Sequence, residues 1–553
     1  MDDHCVMRLT NFTSSRFLGR QLSLFTLALF AGACGDGGGA SGEPSPGELS
    51  GGRDGNAAAD SPGSSVGGGA SSDGDSDGGG SPGSGAGAAS GGSDAASGTG
   101  GEESVVTRPE PPGPSTSACD TDSVVVDSLE ELVPYFSQDN VKVQLAPGVY
   151  RVSTSDTDSL VPDPTLFSIP ASGSTYCFTG ATIEFETELF LEYADDVVEV
   201  YLSGSNTILK NLTIEDIGDS RPYKTALGVK VEGSSNTLDG LHLTVRGSEP
   251  YGYGDLFGKG TGYVIKHHKH SALLVRGTDT VIRDSTIIHR AYGHAIYMQG
   301  AVNTLIEGCY IEGETRTTDE VLAEEGTDAA AENFMTVWGY AVPPGYTFSL
   351  QEDGIRAYNS GNGFPEGTRQ TEGIRVLDST VINMRSGVAV SVANGERYVE
   401  GSTMLGCEKG YSMGSGSHIV ASSGDAIHGP LYVDRTENSN NNVELTVLDN
   451  SARYGNHTAL AYIGGRGHDL SFKSADGSVT SDLEIMFGGL RPEMRFLGEL
   501  DPNTSDHDAT DMNIDNQTGY PIVLSPKASN ILGASLGEVF DEGSDNAIVS
   551  STP

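Results

Sequence analysis

From about residue 119 the chain alternates apolar and polar positions in runs of four to six, punctuated by Gly, Asn or Asp, which is the period of strands rather than helices. The runs repeat. The segment 206–214 (NTILKNLTI) recurs at 236–245 (NTLDGLHLTV), 279–288 (DTVIRDSTII) and 303–311 (NTLIEGCYI), and continues at 374–382 and 397–405. Before most copies stands a second short strand closed by glycine, at 200–204, 229–233, 273–277 and 296–300. Gly277 to Gly300 is a step of 23 residues and Thr280 to Thr304 a step of 24. A low-twenties period of short strands suits a solenoid in which one alternate set of side chains points inward and stacked coils, ~4.8 Å apart, bury that set as a continuous core. The pattern therefore predicts an all-β chain, a right-handed parallel β-helix over 119–550. Ser128 and Glu131 match a capping box and predict a short helical cap before it.

Departures from the period predict loops outside the coils. Thr237 to Thr280 is 43 residues and Thr304 to Ile374 is 70, which places insertions at about 246–270 and 314–352. The second contains a capped-helix signal at Thr318 and the single tryptophan, Trp338.

Composition changes the picture at the N-terminus. Residues 35–101 hold 25 of the 76 glycines and, of the large apolar residues, only Leu49 and Val66, so 35–104 cannot bury a core and reads as a disordered tether reaching ~45 Å. Ahead of it, Arg8, Arg16 and Arg20 precede an apolar run at 22–33 that is too short to span a bilayer. Residues 1–33 read as an export signal, with Asp2 and Asp3 pointing to a translation start at Met7. Ala31, Gly32 and Ala33 before Cys34 resemble a bacterial lipobox, which implies a lipid anchor on Cys34 and a cell-envelope protein, at the outer membrane or outside the cell. Export permits disulfides: Cys119 with Cys177 and Cys309 with Cys407 are pairings that spacing alone leaves open.

Charge narrows the partners. Lys+Arg 32 against Asp+Glu 76 gives −44, which excludes a general nucleic-acid binder. Residues 246–316 depart from this, with eight Lys/Arg against seven Asp/Glu, and five of the twelve histidines fall between His267 and His294. Aligning Gly277 with Gly300 stacks Lys269 on Tyr292 and Ser271 on His294, while Arg290 follows Lys269 by 21 residues. Such a cluster suits abstraction of the C5 proton of a uronic acid, which needs a base, a cation against the carboxylate and an acid for the departing O4. Lys269 is the candidate base, its amine made available by the surrounding histidines, Lys266 and Arg290. Tyr292 is the candidate acid, and Arg290 holds the carboxylate with His289 or His294. Lys266, His268, His270, His289, Tyr297, Arg316 and Arg356 are candidate substrate-binding residues, and Asp353 with Arg356 is the alternative location of the chemistry.

The fold pattern and this cluster resemble the parallel β-helix polysaccharide lyases of the chondroitinase B and alginate lyase group, in which a lysine base and an arginine lie about one coil apart. The resemblance covers 119–550 as architecture and Lys269 and Arg290 as chemistry. It implies an enzyme, a carbon–oxygen lyase, acting as a monomer on an anionic polysaccharide without an obligatory cofactor. Some such lyases require Ca2+, for which Asp319, Glu320, Glu324 and Glu325 are the acidic candidates, although acidic residues also begin helices. A C5-epimerase would use the same residues. A hydrolase would need paired aspartates, for which Asp195 and Asp196 lie several coils from the partial match Gly293–His294–Ala295. A non-catalytic carbohydrate-binding surface protein would need no such cluster.

The lipid anchor is testable by detergent partition. The mature protein is expected in the detergent phase, and Cys34→Ala should shift it to the aqueous phase; soluble secretion of both forms would refute the anchor.

Overall fold

The computed structural model describes residues 108–550 except 259–263, 338, 340, 427–428, 434, 449–458, 476, 478, 480–482 and 491–506. The export signal 1–33, Cys34, the tether 35–104 and Trp338 lie outside the described residues.

Successive coils stack in parallel to build two long sheets. One is the row of Val197–Leu202, Ala226–Val231, His270–Val275, Ile296–Met298 and Ile355–Ala357, continued on both sides. The other takes two strands from most coils, as in Ile208–Lys210 with Thr213–Ile217 and Thr237–Asp239 with His242–Val245. Every pairing within these sheets is parallel, and parallel crossovers take the right-handed sense. The chain is thus an all-β parallel β-helix, and its inward residues form one continuous apolar core from Val126 to Ile531.

Two corner positions keep the coils in step. Asn206, Ser235, Asp279 and Asn303 occupy one with φ between 53 and 57°, and Asn211, Gly240, Asp284, Gly308, Asp378 and Gly401 occupy the other, all at positive φ. Left-handed backbone costs an ordinary L-residue roughly 1–2 kcal/mol, and Gly, Asn and Asp bear it best, which is why these types recur there. The second repeat is shifted by one residue from its apparent alignment. Thr237 pairs with Ile208, so Asn236, not Ser235, stacks on Thr207. Asn236 is inward and buried; its Oδ1 accepts the Thr207 N–H at 2.9 Å and its Nδ2 donates to Gly204 O at 2.8 Å. The polar side chain replaces threonine in the corner stack by hydrogen-bonding between coils.

The cap forms at Leu129–Leu132 and tightens into a 3-10 turn over Val133–Ser137. Ser128 Oγ accepts the Glu131 N–H at 3.2 Å, and Glu131 reaches back one residue further than a capping box requires, accepting the Asp127 N–H at 3.1 Å. Cys119 and Cys177 form a disulfide that ties the N-terminal segment to the first coils. Closing that loop stabilises the fold by about 4 kcal/mol on chain-entropy grounds. Cys309 and Cys407 do not pair. Both are buried thiols directed at backbone carbonyls, and burial pushes that of Cys309 up to about 12.

Between Val245 and His270, and again between Glu312 and Ile355, the chain leaves the ladders. The two excursions share a satellite core of Tyr253, Leu256, Phe257, Val321, Val342 and Phe348. A further hairpin, Ser360–Phe364 with Gly367–Gln370, was not signalled by the period; the guanidinia of Arg276 and Arg369 stand 4.3 and 3.8 Å from the ring centroid of its Phe364. In the second insertion Thr317, one residue earlier than expected, caps the helix Thr318–Leu322, with Glu320 closing the capping box.

His468 supplies a pH test of the fold. It is buried, its Nδ1 accepts the Asn441 N–H at 3.1 Å and its Nε2 donates to Gly464 O at 3.0 Å, and burial holds its pKa below the usual 6.5. The unfolded chain therefore takes up a proton that the folded chain refuses. This contribution is intact above about pH 6.5 and is lost as pH falls below it, at no more than about 1.4 kcal/mol per pH unit. His468→Gln, which can keep both hydrogen bonds, should flatten the acid limb of urea-unfolding free energy against pH; an unchanged slope would refute the assignment.

Candidate functional site

Stacking brings one edge of the first sheet into a site. Ser271, His294, Asp353 and Ser386 follow one another by the register of Leu273 on Ile296, Ile296 on Ile355 and Ile355 on Val388. Beside that column runs a row of backbone bonds: Glu352 N–H donates to Gly293 O at 3.0 Å, Arg385 N–H to Glu352 O at 3.1 Å and Lys409 N–H to Arg385 O at 2.9 Å. The same register places Lys269 against Tyr292, with the ammonium 5.4 Å from the ring centroid.

At the centre lie two carboxylates, Glu352 and Asp353, each about 1% exposed. Lys269 Nζ donates to Glu352 Oε1 at 2.9 Å. Arg385 holds Asp353 with a fork, Nε to Oδ1 at 3.1 Å and Nη2 to Oδ2 at 2.7 Å, and its Nη1 bonds Asp255 from the first insertion. Arg356 Nη1 approaches Asp353 Oδ2 at 3.6 Å. A guanidinium shared by two carboxylates is an arrangement that burial tolerates only when the charges are paired.

His294 links this centre to a tyrosine. Its Nδ1 accepts the Asp353 backbone N–H at 3.2 Å, so in the neutral ring the proton is on Nε2, which lies 2.8 Å from Tyr358 Oη and 3.3 Å from Glu352 Oε2. Tyr358 is half-buried, with the Arg356 guanidinium 5.2 Å from its ring centroid. Tyr297 packs beside His294 with centroids 5.4 Å apart, and burial pushes its phenol well above the ordinary range. Glu408, two coils beyond Glu352, is pushed up to about 7 by burial despite accepting the Ser349 N–H at 2.8 Å.

The structure thus gathers Lys269, Tyr292, His294, Tyr297 and Arg356. It uses several other candidates elsewhere. Tyr292 is 1% exposed, its hydroxyl donates to Asp255 and its ring stacks on His267, so it supports Lys269 from below rather than meeting solvent. The cationic surroundings expected for Lys269 are replaced by the Glu352 carboxylate. Arg290 pairs with Glu312 and, at 3.2 Å, with Glu314, in a cleft that Arg316 also lines. Arg316 itself bonds Gly252 O at 3.1 Å and Glu324 at 2.5 Å, joining the two insertions. His270 and His289 are 0% exposed and point into the coil interior, where no polymer can reach them. His268 is buried near Arg221 and Lys266, burial lowering its pKa, while Lys266 is exposed. Of the acidic calcium candidates, Glu320 closes the helix cap, Glu324 serves Arg316 and Tyr253, and Asp319 accepts the Gly345 N–H.

Asp255, Glu352, Tyr358 and Arg385 were missed. The available signal was an offset: His294 precedes Ile296 by two residues as Asp353 precedes Ile355, once the 70-residue step is counted as one coil.

No known protein family and no curated protein matches the chain. Among solved structures it is similar to the A-module of a mannuronan C-5 epimerase from Azotobacter vinelandii (11% identity, 78% of this chain and 97% of that one, TM-score 0.35). It is also similar to a PL6 alginate lyase in complex with a trisaccharide (12%, 78% and 87%, 0.36). A third is the catalytic unit of a GH87 α-1,3-glucanase from Streptomyces thermodiastaticus (11%, 79% and 70%, 0.34). These structures include an epimerase, a lyase and a glucanase, so the chemistry has to be read from the site itself.

Removing Arg385 should show what the pairing contributes. Arg385→Met leaves Asp353 and Asp255 without their shared cation, which should cost about 3–5 kcal/mol or release the chain around Asp255. Chemical denaturation together with limited proteolysis would detect either; wild-type stability and protection would contradict the assignment.

Proposed function

We propose that this protein is an exported, surface-tethered enzyme that cleaves an anionic, uronate-containing polysaccharide by β-elimination. One observation carries the reading: the outward row Tyr201, Lys230, Leu274, Tyr297, Arg356, in register across five coils, leads aromatic and cationic side chains directly to the Lys269–His294–Tyr358 cluster. Aromatic faces suit sugar rings, and Lys230 and Arg356, three coils apart in this row, can each meet a carboxylate, so a polymer lying along the helix axis meets both kinds of side chain.

In this reading Lys269 and Arg356 receive the uronate carboxylate, whose charge grows as the C5 proton leaves. Tyr358, as its phenolate, takes that proton. His294 Nε2–H lies within hydrogen-bond reach of the Tyr358 oxygen at 2.8 Å, and the Arg356 guanidinium stands 5.2 Å from the ring centroid, so both address the group that handles the proton. The C5–H electrons form the C4=C5 double bond, the C4–O4 bond breaks, and the phenol returns its proton to O4, which closes the cycle without an added base. Glu352 and Asp353 act as positioning groups, Glu352 orienting Lys269 and Asp353 orienting His294 through its backbone N–H. Asp195 and Asp196 take no part; they are held by Lys224 and Thr225.

The test is absorbance near ~232 nm, where an unsaturated uronate absorbs, on alginates, pectates and glycosaminoglycans. Tyr358→Phe and Lys269→Ala should each lose ~100-fold or more in turnover while staying folded, and Arg283→Ala, on an exposed face paired with Asp239, should stay near wild type. Elimination that survives Tyr358→Phe would refute the mechanism. Sugar inversion at C5 without absorbance would reassign the reaction to epimerisation.

A further inference from the structure

Beneath the outward site, the interior of the β-helix carries a polar cluster that the proposed reaction does not use. Glu199 projects inward from Val197–Leu202, Asp216 from Thr213–Ile217 and His270 from the start of His270–Val275, so the three come from both sheets; none is more than 1% exposed. The Phe190 ring meets His270 edge-on at 5.3 Å, so the surroundings are apolar. Two buried carboxyls in such a place need compensation.

The backbone of Arg246 provides part of it. Its N–H donates to Asp216 Oδ2 at 2.8 Å, and its carbonyl oxygen receives His270 Nδ1 at 2.5 Å. A carbonyl only accepts, so Nδ1 carries the proton and the neutral ring turns the Nε2 lone pair into the cluster. This is how a metal-binding histidine is commonly oriented, its other nitrogen donating to a backbone carbonyl. Glu199 Oε1, Asp216 Oδ1 and His270 Nε2 remain buried without hydrogen-bond partners.

Their spacing is that of ligands. One ligand atom from each residue lies within 4.8 Å of the others. His270 Nε2 stands 3.7 Å from Glu199 Oε1, too far for a hydrogen bond but near the ~3.4 Å edge of a tetrahedron with ~2.05 Å bonds. Room is made by Gly228, which stacks between Glu199 and Ala272; a Cβ there would sit 2.8 Å from Ala272 O and 3.5 Å from Glu199 Oε2.

We propose that Glu199, Asp216 and His270 bind one divalent transition-metal ion of the zinc class inside the coil, acquired as the chain folds. A doubly charged ion balances the two carboxylates, leaving a neutral unit that the apolar interior can hold. The mixed nitrogen and oxygen donor set and its small number favour zinc over calcium, which takes six to eight oxygens. A water completes the coordination. Burial pushes the carboxyls of Glu199 and Asp216 upward, so protons are the competitors that the ion displaces. The role is structural: the ion would join both sheets directly under Lys269, the residue before His270.

The test is elemental analysis of the full chain produced with Zn2+ in the medium, followed by Co2+ exchange. About one zinc per chain is expected, with Co2+ giving the visible absorption of a tetrahedral site. Glu199→Gln and His270→Gln should fall below ~0.1 ion per chain and lose the Co2+ spectrum, whereas Arg283→Ala should retain both. If either variant fails to fold, the metal content and Co2+ spectrum of the wild-type chain decide. Folded wild-type protein with no stoichiometric metal, and no rise in Tm on adding Zn2+ or Co2+, would overturn the proposal and leave a shared proton as the compensation. Metal retained by both variants would overturn it equally.

Discussion

Each coil of this protein must turn at the same two places, and everything else depends on that. The corners held by Asn206, Ser235, Asp279 and Asn303, and by Asn211, Gly240, Asp284 and Gly308, let the backbone reverse while the inter-coil hydrogen bonds continue. Because the corners align, a side chain at a given offset stacks on its counterpart in the next coil. A functional site here is therefore a set of columns, and residues far apart in the chain, such as His294 and Asp353, become neighbours by counting coils.

The strand pleat then sends adjacent residues in opposite directions. Lys269 and His270 are consecutive, yet the lysine reaches Glu352 at the surface edge and the histidine lies wholly inside. Outer site and inner cluster share one backbone segment, so whatever holds His270 in place also holds the base of the Lys269 side chain. Arg246 connects the same inner cluster to the first insertion through its two peptide groups.

Electrostatics at the outer site are a matter of pairing rather than of surplus positive charge. Lys269, Arg385 and Arg356 all face Glu352 or Asp353, with Asp255 added from the insertion. Such pairs stiffen the long cationic side chains in one geometry, which a flexible basic patch would not do. The two insertions contribute through their own satellite core and through Asp255, so the site is closed on one side by chain that has no periodic counterpart.

The coil period, the corner residues other than Ser235, the places where the chain leaves the ladders and the stacking of Lys269 on Tyr292 were legible along the chain, because all of these follow from local backbone preference repeated at a regular stride. The sequence also contained Tyr297 and Arg356 as candidates at the same offset of successive coils. Folding was needed to show which of the clustered histidines face outward, that Arg290 serves Glu312 and Glu314, and that Tyr358, Arg385 and Asp255 complete the site. The reason is physical. Periodicity says when a residue recurs, whereas facing is set by the pleat and by contacts across insertions of irregular length, so five histidines that look like one cluster along the chain are divided between the interior and the surface edge.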